Sequence, residues 1–236
     1  MESDDPRTRP DEPGQAPPPP PGPGGPPAPP ASGHPLEFDV EYPDRDLNRL
    51  TTAFRIFTVI PIAIVLASIG GVTSVTSGGH TTTIAAGGSG LLVLPPLLMI
   101  LFRQKYPRWW YDFNLELLRF ENRVGVYVAL MDDRYPSTDE SQSVRLDVPY
   151  PDAKQLNRWL PLIKWLLVIP HYFVLFFLYI GALFAVVAAW FAILFTGRYP
   201  REIFDYLVGV GRWTNRVTAY SVVMLTDEYP PFQLAP

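Results

Sequence analysis

The sequence predicts an α-helical integral membrane protein built by tandem duplication: two helical hairpins, about four transmembrane helices, with amphipathic interfacial helices and short juxtamembrane β-strands. Three observations predict it. Two long windows, residues 56–102 and 165–197, contain no Lys, Arg, Asp or Glu. Short motifs recur in the same order in both halves of the chain. Basic residues flank the windows and are absent from the segment inside the first one. Stretches this apolar suit a hydrocarbon solvent. The bulk values agree: 47% hydrophobic and 18% charged residues, with a mean hydropathy of +0.08.

The N-terminal segment, 1–35, is a different polymer. It holds half of the 28 prolines, including the run Pro17-Pro18-Pro19-Pro20-Pro21. Proline lacks the amide donor and glycine is costly to order, so this tail is expected to stay extended and disordered. Its acidic residues and lack of an apolar core exclude a signal peptide. The chain has no Cys, which removes disulfides, thiolate metal sites and a cysteine nucleophile. A net charge of −4 argues against a nucleic-acid partner.

The first repeat is assigned to 36–138 and the second to 139–236. Phe38-Asp39-Val40-Glu41-Tyr42-Pro43 corresponds to Leu146-Asp147-Val148-Pro149-Tyr150-Pro151. Val59-Ile60-Pro61 corresponds to Val168-Ile169-Pro170, and Lys105-Tyr106-Pro107-Arg108 to Arg198-Tyr199-Pro200-Arg201. Asn122-Arg123-Val124 with Tyr127 corresponds to Asn215-Arg216-Val217 with Tyr220, and Asp133 to Asp227. Spacing changes by sixteen residues inside the windows. There the first repeat carries a Gly/Thr segment, 70–90, expected to be a flexible polar loop. Copies of the same sense imply a pseudo-two-fold along the membrane normal.

Each repeat opens with period-two alternation, Leu36, Phe38, Val40 and Tyr42, then Val144, Leu146, Val148 and Tyr150, which predicts a short strand. The first window reads as two helices around the polar loop. The second window is too long for one span at 1.5 Å per residue. A tight turn near Tyr179-Ile180-Gly181 is the favoured solution. The other is a short helix broken at Pro170, then one tilted span from His171 to Phe195. Residues 108–123 and 201–216 read as amphipathic helices, with Arg119 and Arg123, then Arg212 and Arg216, on their polar faces. Val124–Met131 and Val217–Leu225 fit either a continued helix or a strand. The positive-inside rule places both termini in the cytoplasm and the chain in the cell membrane as a multi-pass protein.

Residues 144–234 resemble the membrane-protein family called domain of unknown function 4389. The resemblance rests on Lys164-Trp165-Leu166, Ile169-Pro170-His171, the run Trp190 to Pro200, Arg212-Trp213-Thr214-Asn215-Arg216-Val217-Thr218-Ala219-Tyr220, and Leu225-Thr226-Asp227-Glu228-Tyr229-Pro230-Pro231-Phe232. Residues 36–138 are a weaker, degenerate match. They have Pro61-Ile62 in place of the Pro-His pair and no counterpart of Thr196-Gly197. The family has no established activity, so the resemblance implies a membrane location and fold.

No catalytic pattern, cofactor motif or metal site is expected. Arg119, Arg123, Arg212 and Arg216 are the candidate lipid-binding residues, through phosphate contacts. Lys164 is expected to reach the headgroups from a span end. His171 is the candidate intramembrane polar site, titrating in a conduction path or bonding backbone groups freed by Pro170. The expected function is a non-enzymatic membrane-anchored scaffold. The expected partners are the lipid bilayer and a protein that reads the Pro-rich tail; self-association is left open. The competing function is a small-solute or lipid transporter formed between the repeats. A polar cavity at the seam would favour transport, and a sealed apolar seam would favour the scaffold.

Overall fold

The alternation of Leu36, Phe38 and Val40 produces the first element, strand β1 (Glu37–Val40), with alternate residues buried. A computed structural model describes residues 34–70, 73–77, 80–84, 89–138, 140 and 142–235. The Pro/Gly-rich tail therefore lies outside the described residues as far as residue 33. Strand β4 (Val144–Asp147) pairs with β1 as an antiparallel ribbon, with Phe38 opposite Leu146 and Val40 opposite Val144. Phe38 and Leu146 are repeat equivalents. An antiparallel pair that sets equivalent residues opposite one another has a local two-fold through that pair.

Between these strands the first repeat forms α1 (Arg49–Ala53), α2 (Arg55–Gly70), α3 (Ser89–Leu98) and α4 (Arg108–Val128). Asn48 caps α1, its side chain accepting from the amides of Leu50 and Thr51. Pro95 and Pro96 lie inside α3, and the chain passes into a π-helical turn over Met99–Arg103. Two adjacent prolines remove two donors and crowd the preceding carbonyls, which favours a change of register. The second repeat forms α5 (Leu160–Leu167), α6 (Ile169–Thr196) and α7 (Arg201–Ser221).

The flexible loop expected over 70–90 is replaced in its described part by an antiparallel strand pair, β2 (Thr73–Ser77) with β3 (His80–Ile84). Threonine, valine and isoleucine favour the pleated backbone. The turn expected near Tyr179-Ile180-Gly181 is absent. Helix α6 runs unbroken for 28 residues. Gly181 is there for close approach: a Cβ would lie 2.6 Å from the Tyr206 hydroxyl, which donates to Leu178 O at 2.8 Å. The bend falls at Val168, between α5 and α6, one residue before the Ile169-Pro170 pair. The sixteen extra residues of the first repeat thus interrupt a helix that is continuous in the second.

Helix α6 is packed lengthwise on one layer. At its start Val168 and Leu175 meet Trp213, Val217 and Tyr220. Farther along, the Tyr179 hydroxyl bonds that of Thr214, and Trp190 Nε1 donates to Thr52 O. At its end Gly197 O accepts from Leu47 N. In the first repeat Ile62 meets Phe120 and Val124, and Thr58 bonds Tyr127. These are the positions of His171, Trp213, Val217 and Tyr220.

Residues Val124 to Val128 and Val217 to Ser221 continue their helices rather than forming strands. Both helices end on a left-handed residue at equivalent places, Leu130 at φ 64° and Met224 at φ 59°. Gln104 (φ 44°) and Gly197 (φ 79°) form a second equivalent pair at helix C-termini. Gly197 therefore has a counterpart in the first repeat, in conformation though not in residue type. Glycine reaches this region without a Cβ penalty. Replacing Gln104 with Gly is expected to stabilise the fold by about 1 kcal/mol, and Gly181→Ala to destabilise it through the Tyr206 clash. Denaturant titration in mild detergent measures both.

Candidate functional site

Each repeat closes on itself through one buried cation. In the first, Arg55 Nη2 pairs with Asp133 at 2.8 Å, Nη1 donates to Asp132 O, and the guanidinium lies 4.0 Å from the Tyr127 ring centroid. In the second, Lys164 Nζ pairs with Asp227 at 2.7 Å, donates to Thr226 O, and lies 4.7 Å from the Tyr220 centroid. The same carboxylates accept from the backbone amides of Asn48 and Asn157. Lys164 is fully buried, so the expected reach to the headgroups is replaced by an internal ion pair. These two locks tie the end of the first repeat to the start of α2 and the end of the second to α5.

The repeats then meet through contacts that come in reciprocal sets. Arg119 donates to Leu146 O and pairs with Asp147 at 2.6 Å. Arg212 donates to Phe38 O and pairs with Asp39 at 3.5 Å. The Tyr42 hydroxyl donates to Tyr199 O, and the Tyr150 hydroxyl donates to Tyr106 O. The buried Tyr106 and Tyr199 hydroxyls donate across the seam to Val223 O and Ala129 O, and burial raises both phenol pKa values. At the centre, Asn122 and Asn215 exchange amide bonds, each donating to the other at 2.7 Å. The side-chain N/O assignment follows from this network. Both asparagines stand in the repeat motif; the missed signal is that equivalent residues meet at a two-fold.

Arg119 and Arg212 are therefore built into the seam instead of standing free at a lipid surface. Arg123 is buried, and its Nη1 donates to Ser137 O at 2.8 Å and Thr138 O at 3.2 Å. Arg216 is completely buried. The polar face read from the sequence is turned inward over the later turns of α4 and α7. His171 also departs from both expectations. Its Nδ1 accepts from Trp213 Nε1 at 3.0 Å, and its ring stacks on Phe232 at 3.9 Å. The Trp213 donor assigns the His171 proton to Nε2, the neutral tautomer.

Residues of α4, α6 and α7 line a cavity of about 500 Å³. Val126, Val128, Leu183, Val186 and Leu207 are among its apolar walls, and Glu121, Asn122, Asn215 and Thr214 are polar groups on its lining. Glu121 is open to the cavity, and desolvation by the surrounding protein raises its carboxyl pKa. Among the described residues no three His, Asp or Glu side chains gather where they could hold a metal.

Residues 159–233 match the family model described as Domain of unknown function (DUF4389). This segment of the chain is a DUF4389 domain. It comprises α5, α6, α7 and the C-terminal segment that returns to Lys164 and His171. No curated protein and no solved structure matches the chain.

Two measurements check the locks of the DUF4389 domain and of the seam. Lys164→Arg is expected to keep the fold, because Arg55 fills the equivalent place, whereas Lys164→Met strands Asp227 and costs roughly 3 kcal/mol. Asn122→Ala and Asn215→Ala are each expected to cost about 1–3 kcal/mol. The double variant should cost less than their sum; strict additivity in denaturant titrations would show that the two amides are not coupled.

Proposed function

We propose that the protein is a non-enzymatic scaffold embedded in the cell membrane, with both termini cytoplasmic. The observation that carries this reading is the outer face of α6. Tyr172, Phe173, Phe176, Phe177, Leu183, Phe184, Phe191 and Phe195 are all exposed there. Leu160–Thr196 is the one stretch among the described helices long and apolar enough to cross a membrane, and only 17% of its most apolar window is buried. A core helix of a water-soluble protein would be mostly covered, so this much open aromatic surface calls for another solvent. Acyl chains supply it. Ile56, Phe57, Ile60 and Ile64 of α2 add a second exposed apolar face. Trp109, Trp159 and Trp165 are also exposed, as expected of rings in the headgroup zone.

The seam is closed by polar groups rather than the apolar ones expected for a scaffold, and it is the closure alone that supports the scaffold reading. Its centre is filled by the Asn122–Asn215 pair, and its flanks are tied by Arg119 and Arg212 to the ribbon. A platform held this way offers a fixed base for the Pro-rich tail. Lipid transport is the second reading, favoured by the apolar walls of the cavity between α4 and α6.

The full chain is expected to remain with the membrane pellet after an alkaline carbonate wash and to enter the supernatant only with detergent. Recovery of folded monomer without detergent would overturn the membrane reading. Co-purification from native membranes with and without residues 1–35 tests recruitment: a partner lost with the tail is the expected result. In liposomes, movement of a fluorescent lipid between leaflets faster than in protein-free controls would replace the scaffold with the transport reading.

A further inference from the structure

Arg216 differs from every other cation described above. Its side chain is fully buried, and none of Nε, Nη1 and Nη2 has a hydrogen-bond partner. A guanidinium carries five N–H donors and stays charged at any accessible pH. Taking such a group out of water without an acceptor is among the costliest arrangements a fold can hold. Arg212, one turn earlier, is satisfied by Phe38 O, Leu234 O and Asp39.

The pseudo-two-fold provides an internal control. Arg123 is the equivalent of Arg216, and its guanidinium is capped by the carbonyls of Ser137 and Thr138. That capping loop is held by Gln142, whose Nε2 donates to Tyr135 O. Counting by the repeats, Pro231 and Phe232 stand where Ser137 and Thr138 stand, and His34 stands where Gln142 stands. The Phe232 ring is taken up by His171, on which it stacks, and by Trp213 in an edge contact. The first repeat has Ile62 at the His171 position and makes no such capture. The carbonyls that close the Arg123 site thus have no counterpart bonded to Arg216. His34 adds no compensating charge: burial first, and then Arg216 itself, lower its pKa to about 4, leaving a neutral imidazole.

We infer that Arg216 anchors a buried oxyanion site, in which a carboxylate or phosphate group takes the guanidinium edge as a two-pronged partner. The fork of a guanidinium matches the oxygens of either group. One uncompensated positive charge suits one negative group. The site is distinct from the lipid-facing aromatic surface of α6 and does not depend on the scaffold reading.

The experiment is thermal unfolding of the full chain in neutral detergent micelles, with inorganic phosphate against chloride of equal ionic strength. A second arm replaces phosphate with phosphatidate in the micelle, with phosphatidylcholine as its control. A saturable rise in Tm is expected, since a ligand that binds only the folded state stabilises it. A rise with phosphate assigns a free oxyanion; a rise with phosphatidate alone assigns a lipid headgroup. Arg216→Met should abolish the rise and be at least as stable as the parent protein without added anion. Arg216→Lys should keep the rise with at least tenfold weaker apparent affinity, and Arg123→Met should keep it unchanged. No rise in either arm, or an equal rise in Arg216→Met, would overturn the site. Loss of folding in Arg216→Met leaves the lysine variant to decide: unchanged affinity there would also overturn it.

Discussion

Self-pairing of equivalent residues is the constraint on which the rest of the structure depends. Phe38 faces Leu146 in the ribbon, and Asn122 faces Asn215 beneath it. Two such pairs define one axis, and every other contact at the seam must then occur twice. The arginine–ribbon bonds and the tyrosine–carbonyl bonds obey this rule. A buried amide pair is stabilising only when both members are satisfied. Asn215 also donates to Gly211 O and Asn122 to Leu118 O, so the pair is tied back into both helices. Helices α4 and α7 are thereby fixed in rotation as well as in distance.

Where the repeats diverge, the differences are concentrated on one side of each unit. The position of Ile62 packs on Phe120 in one half; in the other, His171 bonds Trp213 and gathers Phe232. A polar ring in that place needs a donor, and the indole supplies it. The change propagates to the C-terminal segment and from there to the surroundings of Arg216. The interrupted helix of the first repeat belongs to the same pattern. Its two prolines and π turn accommodate an insertion that α6 does not carry.

Much of the architecture was legible in the residues. The two period-two strands and the helices α4 and α7 follow from spacing alone. What could not be read there is the sense in which buried and exposed faces are used. Arg123 and Arg216 share a helical face with carboxylates, which in an isolated helix means a solvated stripe. Here both arginines are buried, Arg123 beneath the Ser137 and Thr138 carbonyls at the end of its own repeat, and that is a tertiary fact. The unbroken α6 was hidden because length alone suggested a turn, and Gly181 looked like its site. The glycine answers instead to the Tyr206 hydroxyl, a neighbour twenty-five positions away. Lys164 was misplaced for a related reason: its carboxylate, Asp227, lies far along the chain.

The ribbon also sets an order of events at the ribosome. Glu37 pairs with Asp147, so β1 waits for the rest of its own repeat to be made before its mate emerges. In that interval Leu36, Phe38 and Val40, all buried at the end, have no permanent cover. Pairings so distant along the chain close slowly and late. Strand β1 of the growing chain is therefore in need of shelter until β4 has been made.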